Sequence, residues 1–196
     1  MKARNRIKKL MRKVLRDRLK LEKGKAGKVL DIEKWPQKWQ DKIQKAQVIA
    51  GYMPLPDELS LEEFWKSPAL TGKRKCFPRV EGEKIVFYEM DPDTFTEGSF
   101  GIMEPSGAAA PVERSQIDIM LIPACGYGMD GTRIGRGKGF YDRFFDGAVT
   151  CETIGVVPEV ALLHVMPSDS WDLRVSAVAT QERFIECEIR GEKEGK

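Results

Sequence analysis

Fourteen residues near the middle of the chain, Gly131 to Phe144 (GTRIGRGKGFYDRF), hold four glycines and four basic side chains, Arg133, Arg136, Lys138 and Arg143. Those residue types at that density suit an anion. Gly135, Gly137 and Gly139 leave the backbone bare and can adopt positive φ, so successive N–H groups can turn toward phosphate oxygens. Arg133, Arg136 and Lys138 add full charges: arginine grips phosphate through a two-bond fork, whereas lysine acts as a mobile point charge. Asp142 is the kind of group that holds a magnesium ion bridging nucleotide phosphates. It is equally a first-turn helix aspartate that complements the dipole. Tyr141 can flank a ligand ring or pack against a sheet. The segment is not a Walker A loop, because Thr132 stands where glycine is needed and Gly139 follows Lys138 in place of Ser or Thr. Phe140 likewise breaks a G-x-G-x-x-G match beginning at Gly135.

A second concentration of charge opens the chain. Residues 1–28 hold 13 Lys/Arg against 2 Asp/Glu, a formal +11, while the remainder carries −8 and the whole chain +3. Such an arm suits nucleic acid, a polyanionic small molecule, or the acidic remainder of its own fold. Ile7, Leu10, Met11, Val14, Leu15 and Leu19 follow the 3.6-residue period and predict a basic amphipathic helix over 1–23, packed on the domain and ended by Gly24 and Gly27. Lys8, Arg12 and Arg16 fall together on a neighbouring face. They form either a solvated flank or a row of charges aimed at one anion.

The elements that must position these groups follow the same reasoning. A second helix is expected over Glu33 to Ala46, with Asp31 near its start. Gln47 to Tyr52 is a buried strand ending before Pro54 and Pro56. Ser60-Leu61-Glu62-Glu63 reads as a capping box before a short helix. Lys73 to Phe77 and Lys84 to Tyr88 are strands around the turn Glu81-Gly82. Residues 91–116, broken by Pro92, Gly98, Gly101, Pro105, Gly107 and Pro111, predict a long loop. Ile117 to Ile122 is a strand stopped by Pro123, and the glycine-rich segment follows it as strand, loop and helix, the helix running from Gly139 to Phe145. Thr153 to Val157 and Leu173 to Ala179 are later strands. The alternation predicts an α/β domain with a mainly parallel sheet, where ligands gather beyond the carboxyl ends of the strands.

The chain has 196 residues, 41% hydrophobic and 32% charged, which suits one globular domain over 1–196 with a flexible tail at 191–196. No apolar run can span a membrane, and no apolar signal core follows the basic start, so a cytoplasmic protein without a membrane partner is expected. Cys76, Cys125, Cys151 and Cys187 are scattered and His164 is the sole histidine, which favours reduced structural thiols over a zinc site.

The glycine-rich segment resembles the G-x-R-L-G-x-G-x-G-Y-Y-D motif of the 5-formyltetrahydrofolate cyclo-ligase (methenyltetrahydrofolate synthetase) family. KKLMRKVLRDRLK is similar to the family's K-x-x-x-R helix, with Lys8 and Arg12 in the two positions. YMPLPDELSLEEF is similar to its Y-x-P-x-x-x-E segment, with Glu58 at the acidic position. FPRV, GIMEP, IDIMLIP and WDLRV follow in the family's order, so the resemblance covers nearly the whole chain.

The resemblance implies a Rossmann-like three-layer α/β fold and the ATP- and Mg2+-dependent closure of 5-formyltetrahydrofolate to 5,10-methenyltetrahydrofolate, with ADP and phosphate released. It implies ATP contacts from Lys8, Arg12, Arg133, Ile134, Gly135, Arg136, Gly137, Lys138, Gly139, Phe140 and Tyr141. It implies folate contacts from Met53, Glu58 and the stretch Arg136, Gly137, Lys138, Gly139 and Phe140, and magnesium at Asp142 and Asp172. Arg136 and Lys138 are the expected catalytic groups, in a monomer whose partners are the two small molecules and not nucleic acid. Three positions depart from the family's pattern: Gly128 where aspartate is common, Phe140 for the first tyrosine of the pair, and Trp171 where histidine is frequent. Two other readings stay open: a nucleic-acid-binding module that uses the basic helix, and a related ATP-using enzyme with another substrate.

Overall fold

The computed structural model describes residues 2–22, 30–89, 95–98, 103–105, 110–146, 148–169 and 171–187, with side chains from residue 5 to residue 20 in the first of these segments. Gly24, Gly27, parts of the 91–116 segment and the tail at 191–196 lie outside the described residues.

In chain order the strands are β1 (Val48–Ala50), β2 (Arg74–Glu81), β3 (Lys84–Glu89), β4 (Phe95–Glu97), β5 (Met103–Pro105), β6 (Pro111–Val112) and β7 (Ile119–Pro123). Then come β8 (Gly126–Gly128), β9 (Arg133–Ile134), β10 (Glu152–Val156), β11 (Leu162–Leu163), β12 (Ala177–Ala179) and β13 (Phe184–Glu186). The central sheet runs β13-β12-β10-β7-β1-β2-β3-β6. Its five middle strands are parallel, with Ile49 beside Ile119 and Ile154 beside Leu121, and antiparallel strands close both edges.

The apolar run in β7 is buried on both faces, as expected of a central parallel strand. Met120 and Ile122 face one core with Val48 and Ala50 of β1, while Ile119 and Leu121 face the other with Ile49. Helix α1 (Lys2–Glu22) packs on the first core through Leu15 and Leu19, joined by Phe145 of α4 (Phe140–Phe145). Helices α2 (Gln37–Lys45) and α3 (Glu62–Lys66) cover the second core with Trp39, Ile43 and Phe64. The result is three layers, helix on sheet on helix, with a mainly parallel sheet. No described helix is long and apolar enough to cross a membrane. Cys76, Cys125 and Cys187 are buried, Cys151 is half-buried, and all four are free thiols.

Several expected elements are corrected. The expected Glu33–Ala46 helix is split. A 3-10 turn, Ile32–Lys34, is capped by the Asp31 carboxylate, and α2 starts only at Gln37. Pro36 forces Trp35 into extended backbone (φ −77°, ψ 156°), and an α-helix cannot pass through that pair. The capping box before α3 does not form: Ser60 Oγ accepts the Glu62 N–H at 3.2 Å, but Leu61 takes the cap position without a side-chain bond. Residues 91–116 are not all loop, since β4 pairs with β5 and β6 adds an edge strand beside β3. Leu173–Ser176 forms no regular strand: Arg174 makes an isolated bridge to Thr132, and the Ser176 N–H donates to the Thr153 carbonyl of β10 at 3.0 Å.

Two corrections bear on the site. The glycine-rich loop does not leave the central strand directly. A hairpin, β8–β9, intervenes and joins β11 in a separate three-stranded sheet, and the loop begins where β9 ends. Only part of the expected apolar stripe of α1 is packed: Leu15 and Leu19 are in the core with Met11 against it, and the rest faces outward. Ile7, Leu10 and Val14 are 49%, 61% and 40% exposed, whereas Lys8, Leu15 and Leu19 are buried. The buried face is therefore i, i+4, i+7 and i+11 from Lys8, and it carries Arg12 as well.

This choice of face sets an expected outcome. Leu15→Ala should destabilise the protein by about 2–5 kcal/mol, as for a buried leucine, while Leu10→Ala should change stability by less than about 0.5 kcal/mol. Denaturant unfolding of the two variants checks it; equal effects would mean that the helix packs on its other face.

Candidate active site

Arg133 opens β9 and is the foundation of the loop that follows it. Its side chain is 6% exposed, and its Nη2 donates to Asp142 Oδ1 at 3.0 Å. The guanidinium also sits over the Tyr141 ring, 5.3 Å from the centroid. Gly135 lies on this buried arginine, and a Cβ there would stand 3.1 Å from Arg133 Nη1. Gly137 and Gly139 have φ of +100° and +69°, a region that side-chain-bearing residues rarely adopt. The loop thus needs glycine for two reasons, close approach at 135 and chain direction at 137 and 139.

Asp142, in the first turn of α4, also accepts the Leu173 N–H at 3.2 Å, which ties the loop to the segment before β12. Burial alone would raise its carboxyl pKa. The Arg133 charge and hydrogen bond, with the Leu173 N–H, outweigh this and hold it below the ordinary value.

Helix α1 forms the adjoining wall. Lys8 Nζ donates to Asp169 Oδ2 at 2.6 Å and to Asp172 Oδ2 at 2.5 Å. Burial opposes its charge, but the two carboxylates prevail and its pKa is raised. One turn on, Arg12 Nε donates to the Gly135 carbonyl at 2.9 Å. The basic face of the helix is therefore turned into the fold at these two positions, not spread as an open strip.

The opposite wall follows β1. Glu58 Oε1 accepts Arg136 Nε at 2.9 Å and its Oε2 accepts the Leu55 N–H at 3.0 Å. Arg136 Nη2 also reaches Asp57 Oδ1 at 2.6 Å. Glu58 is 7% exposed in its side chain, and burial raises its pKa despite Arg136. Tyr52, Met53, Leu55, Val80, Ile85 and Phe140 make this end apolar. Glu104 of β5 is buried beside it, within 3.4 Å of the Val80 N–H.

These walls enclose a cleft of about 690 Å³ beyond the carboxyl ends of β1 and β7. It is lined by Lys8, Arg12, Met53, Glu58, the whole stretch 133–142 and Asp172, so every residue singled out from the sequence as a site residue meets in one place. Arg16, grouped with Lys8 and Arg12 in the sequence, also lines it, and sequence reasoning passed over Asn5, Tyr52, Glu104 and Asp169, which do so too. Glu104 lies within GIMEP and Asp169 is three residues from Asp172, but no local spacing marks either as facing a cleft.

Lys8, Arg133 and Arg136 each face a carboxylate, so these three of the cations lining the cleft are paired within it. Among the described residues no group of three or more His, Cys, Asp or Glu is arranged to hold a metal ion. Asp142 and Asp172 both line the cleft, paired with Arg133 and Lys8; a hard cation shared with phosphate oxygens needs only one or two carboxylates and not an all-protein cage. Gly128, the departure near β9, has a local reason: a Cβ there would lie 2.5 Å from Thr132 Oγ1 and 2.6 Å from Asp130 Oδ1. Asp130 already caps that turn, accepting the Thr132 hydroxyl at 2.6 Å.

The sequence model of the 5-formyltetrahydrofolate cyclo-ligase family matches residues 2–181. A 5-formyltetrahydrofolate cyclo-ligase of Mycolicibacterium smegmatis is 36% identical over 147 residues, covering 71% of this chain and 76% of its own length. One from Escherichia coli K12 is 25% identical over 155 residues, covering 74% and 83%. Among solved structures, the 5,10-methenyltetrahydrofolate synthetase of Aquifex aeolicus superposes with a TM-score of 0.72 at 26% identity, covering 97% of this chain and 96% of that one.

The depressed Asp142 carboxyl gives a pH signature. Its contribution to stability is present above the unfolded value near 3.8 and is lost as pH falls through the lower folded value. Asp142→Asn should therefore be less stable than wild type at pH 7 and lose less stability on acidification below that value. Urea unfolding from pH 7 to pH 3 checks it, and parallel acid limbs would contradict the pairing.

Proposed function

The chain belongs to the 5-formyltetrahydrofolate cyclo-ligase family, and from that premise we propose that its cleft holds ATP and 5-formyltetrahydrofolate together and closes the folate to 5,10-methenyltetrahydrofolate. The observation that carries this is the two-ended cleft. One end is cationic and poor in side chains; the other is apolar with buried carboxylates. A triphosphate suits the first and a reduced pterin the second.

A formamide oxygen is a poor leaving group. The formyl oxygen attacks the γ-phosphorus of ATP, the bond to the β-phosphate oxygen breaks, and ADP leaves. The resulting imino-phosphate is open to the folate's own N10, which attacks the activated carbon. The C–O bond then breaks, phosphate departs, and N10 gives up its proton. Both steps need charge neutralisation and positioning more than a protein nucleophile.

On this proposal the N–H groups from Gly135 to Gly139 receive the phosphates, with Ile134, Phe140 and Tyr141 holding the loop's flanks. Lys8 and Arg12 add charge from α1, and Arg133 adds it from beneath. Arg136 and Lys138 stabilise the transferring group. Magnesium held by Asp142 and Asp172 with the phosphates would neutralise the charge they carry. Glu58 accepts pterin N–H groups, Met53 packs on the ring, and Arg136 to Phe140 border it. Arg136 links the two ends: it neutralises Asp57 and Glu58 before an anionic ligand arrives to compete for it. On the same proposal the protein acts as a cytoplasmic monomer on two small molecules, without nucleic acid or membrane.

Mixing the protein with MgATP and 5-formyltetrahydrofolate should produce the near-ultraviolet absorbance of the methenyl product. Lys138→Ala should lower kcat by about 10²- to 10³-fold with the fold intact, as for loss of one charge-stabilising donor; unchanged turnover would remove it from the phosphate site. Glu58→Ala should raise the KM for the folate far more than that for ATP, and an effect confined to ATP would show the acidic end to be misassigned.

A further inference from the structure

Trp171 breaks the burial pattern of its type. Trp35 and Trp39 are 5% and 2% exposed, and Trp65 is half-buried against Phe64 and Phe77, but Trp171 is 64% exposed. A single exposed apolar side chain needs no explanation by itself; what sets Trp171 apart is where its ring stands. It lines the same cleft as Lys8, Asp172 and the glycine-rich loop.

The ring is also on a fixed support. On one side the Asp172 N–H donates to the Asp169 carbonyl at 3.1 Å, and the Asp172 carboxylate accepts the Asp169 N–H at 2.5 Å. Lys8 holds both carboxylates from α1, and Asp142 of α4 holds the Leu173 N–H. The backbone that carries Trp171 is therefore tied to the two helices whose residues face the phosphate end.

We propose that Trp171 is the base platform of the nucleotide site, stacking on the purine while the phosphates engage the glycine-rich loop. This rests on the nucleotide reading of the cleft and adds the group that reads the ring. A flat indole beside a cationic site takes a planar heteroaromatic ring joined to a polyanion. Stacking is sequence-tolerant because every base offers a π-face, so a purine triphosphate binds whether its base is adenine or guanine, and the smaller pyrimidine ring binds less well. Two flat rings are available, the purine and the pterin. The indole lies with Lys8 and Asp172, whereas the apolar surface and buried carboxylates suited to the pterin flank Glu58.

Trp171 supplies its own probe as the exposed tryptophan of the chain. MgATP should quench and blue-shift the emission of wild type, and tripolyphosphate, which has no ring, should bind without that change. Trp171→Ala should weaken ATP binding by about 5- to 150-fold, the equivalent of one lost base stack of about 1–3 kcal/mol, and leave tripolyphosphate binding and thermal unfolding unchanged. Trp171→Phe should recover most of the affinity. Equal ATP affinity in wild type and Trp171→Ala would overturn the inference while leaving the nucleotide site standing. Quenching by 5-formyltetrahydrofolate alone, with none by MgATP, would move the ring to the other substrate and overturn it too. Absence of any ATP binding to wild type would remove the nucleotide reading itself.

Discussion

The site depends on how α1 is pinned. Lys8 carries a charge into a place that is 7% exposed, and only the carboxylates of Asp169 and Asp172 make that tolerable. Removing one partner of such a buried pair typically costs about 3–5 kcal/mol, because the other charge is left uncompensated. The same helix face puts Arg12 on the Gly135 carbonyl and Leu15 and Leu19 into the core. Ion pair, loop contact and apolar packing therefore select one rotation of the helix, and that rotation makes α1 a wall of the cleft.

Three cations of the cleft are paired before any ligand enters. Arg133 answers Asp142 beneath the loop, Lys8 answers Asp169 and Asp172 at one rim, and Arg136 answers Asp57 and Glu58 at the other. These pairs differ in exposure, and so in what they can do. Arg133 is enclosed and acts as fixed positive charge under bare backbone, while the Arg136 side chain is 33% exposed and can exchange carboxylate for phosphate at little desolvation cost. An anionic ligand thus meets one cation that is already in place and others that it must win from neighbours.

Much of the site was legible in the sequence because it rests on local requirements. Gly137 and Gly139 are glycines where φ must be positive, and Asp142 follows at the distance that one helical turn allows. The parallel core was legible for a similar reason, since a run such as Ile119 to Ile122 is buried on both faces only in the middle of a parallel sheet. What escaped depends on partners far along the chain. Periodicity favoured the stripe with Ile7, Leu10 and Val14, but Lys8 is drawn to carboxylates 161 and 164 residues away. Arg136 finds Glu58 and Asp57 across 78 and 79 residues, and no spacing within either segment announces it. The β8–β9 hairpin is hidden because Gly126–Gly128 lacks the alternation of a half-buried strand, and the helical pattern from Glu33 runs through the Trp35–Pro36 pair, where extended backbone stops it.

The most direct measurement is a crystal structure of the protein with magnesium and a non-hydrolysable ATP analogue. The account requires the triphosphate to lie against the backbone N–H groups of 135–139, with Lys8 and Arg12 within hydrogen-bond reach of its oxygens. A triphosphate bound elsewhere, with that loop facing solvent and α1 remote from the nucleotide, would contradict it.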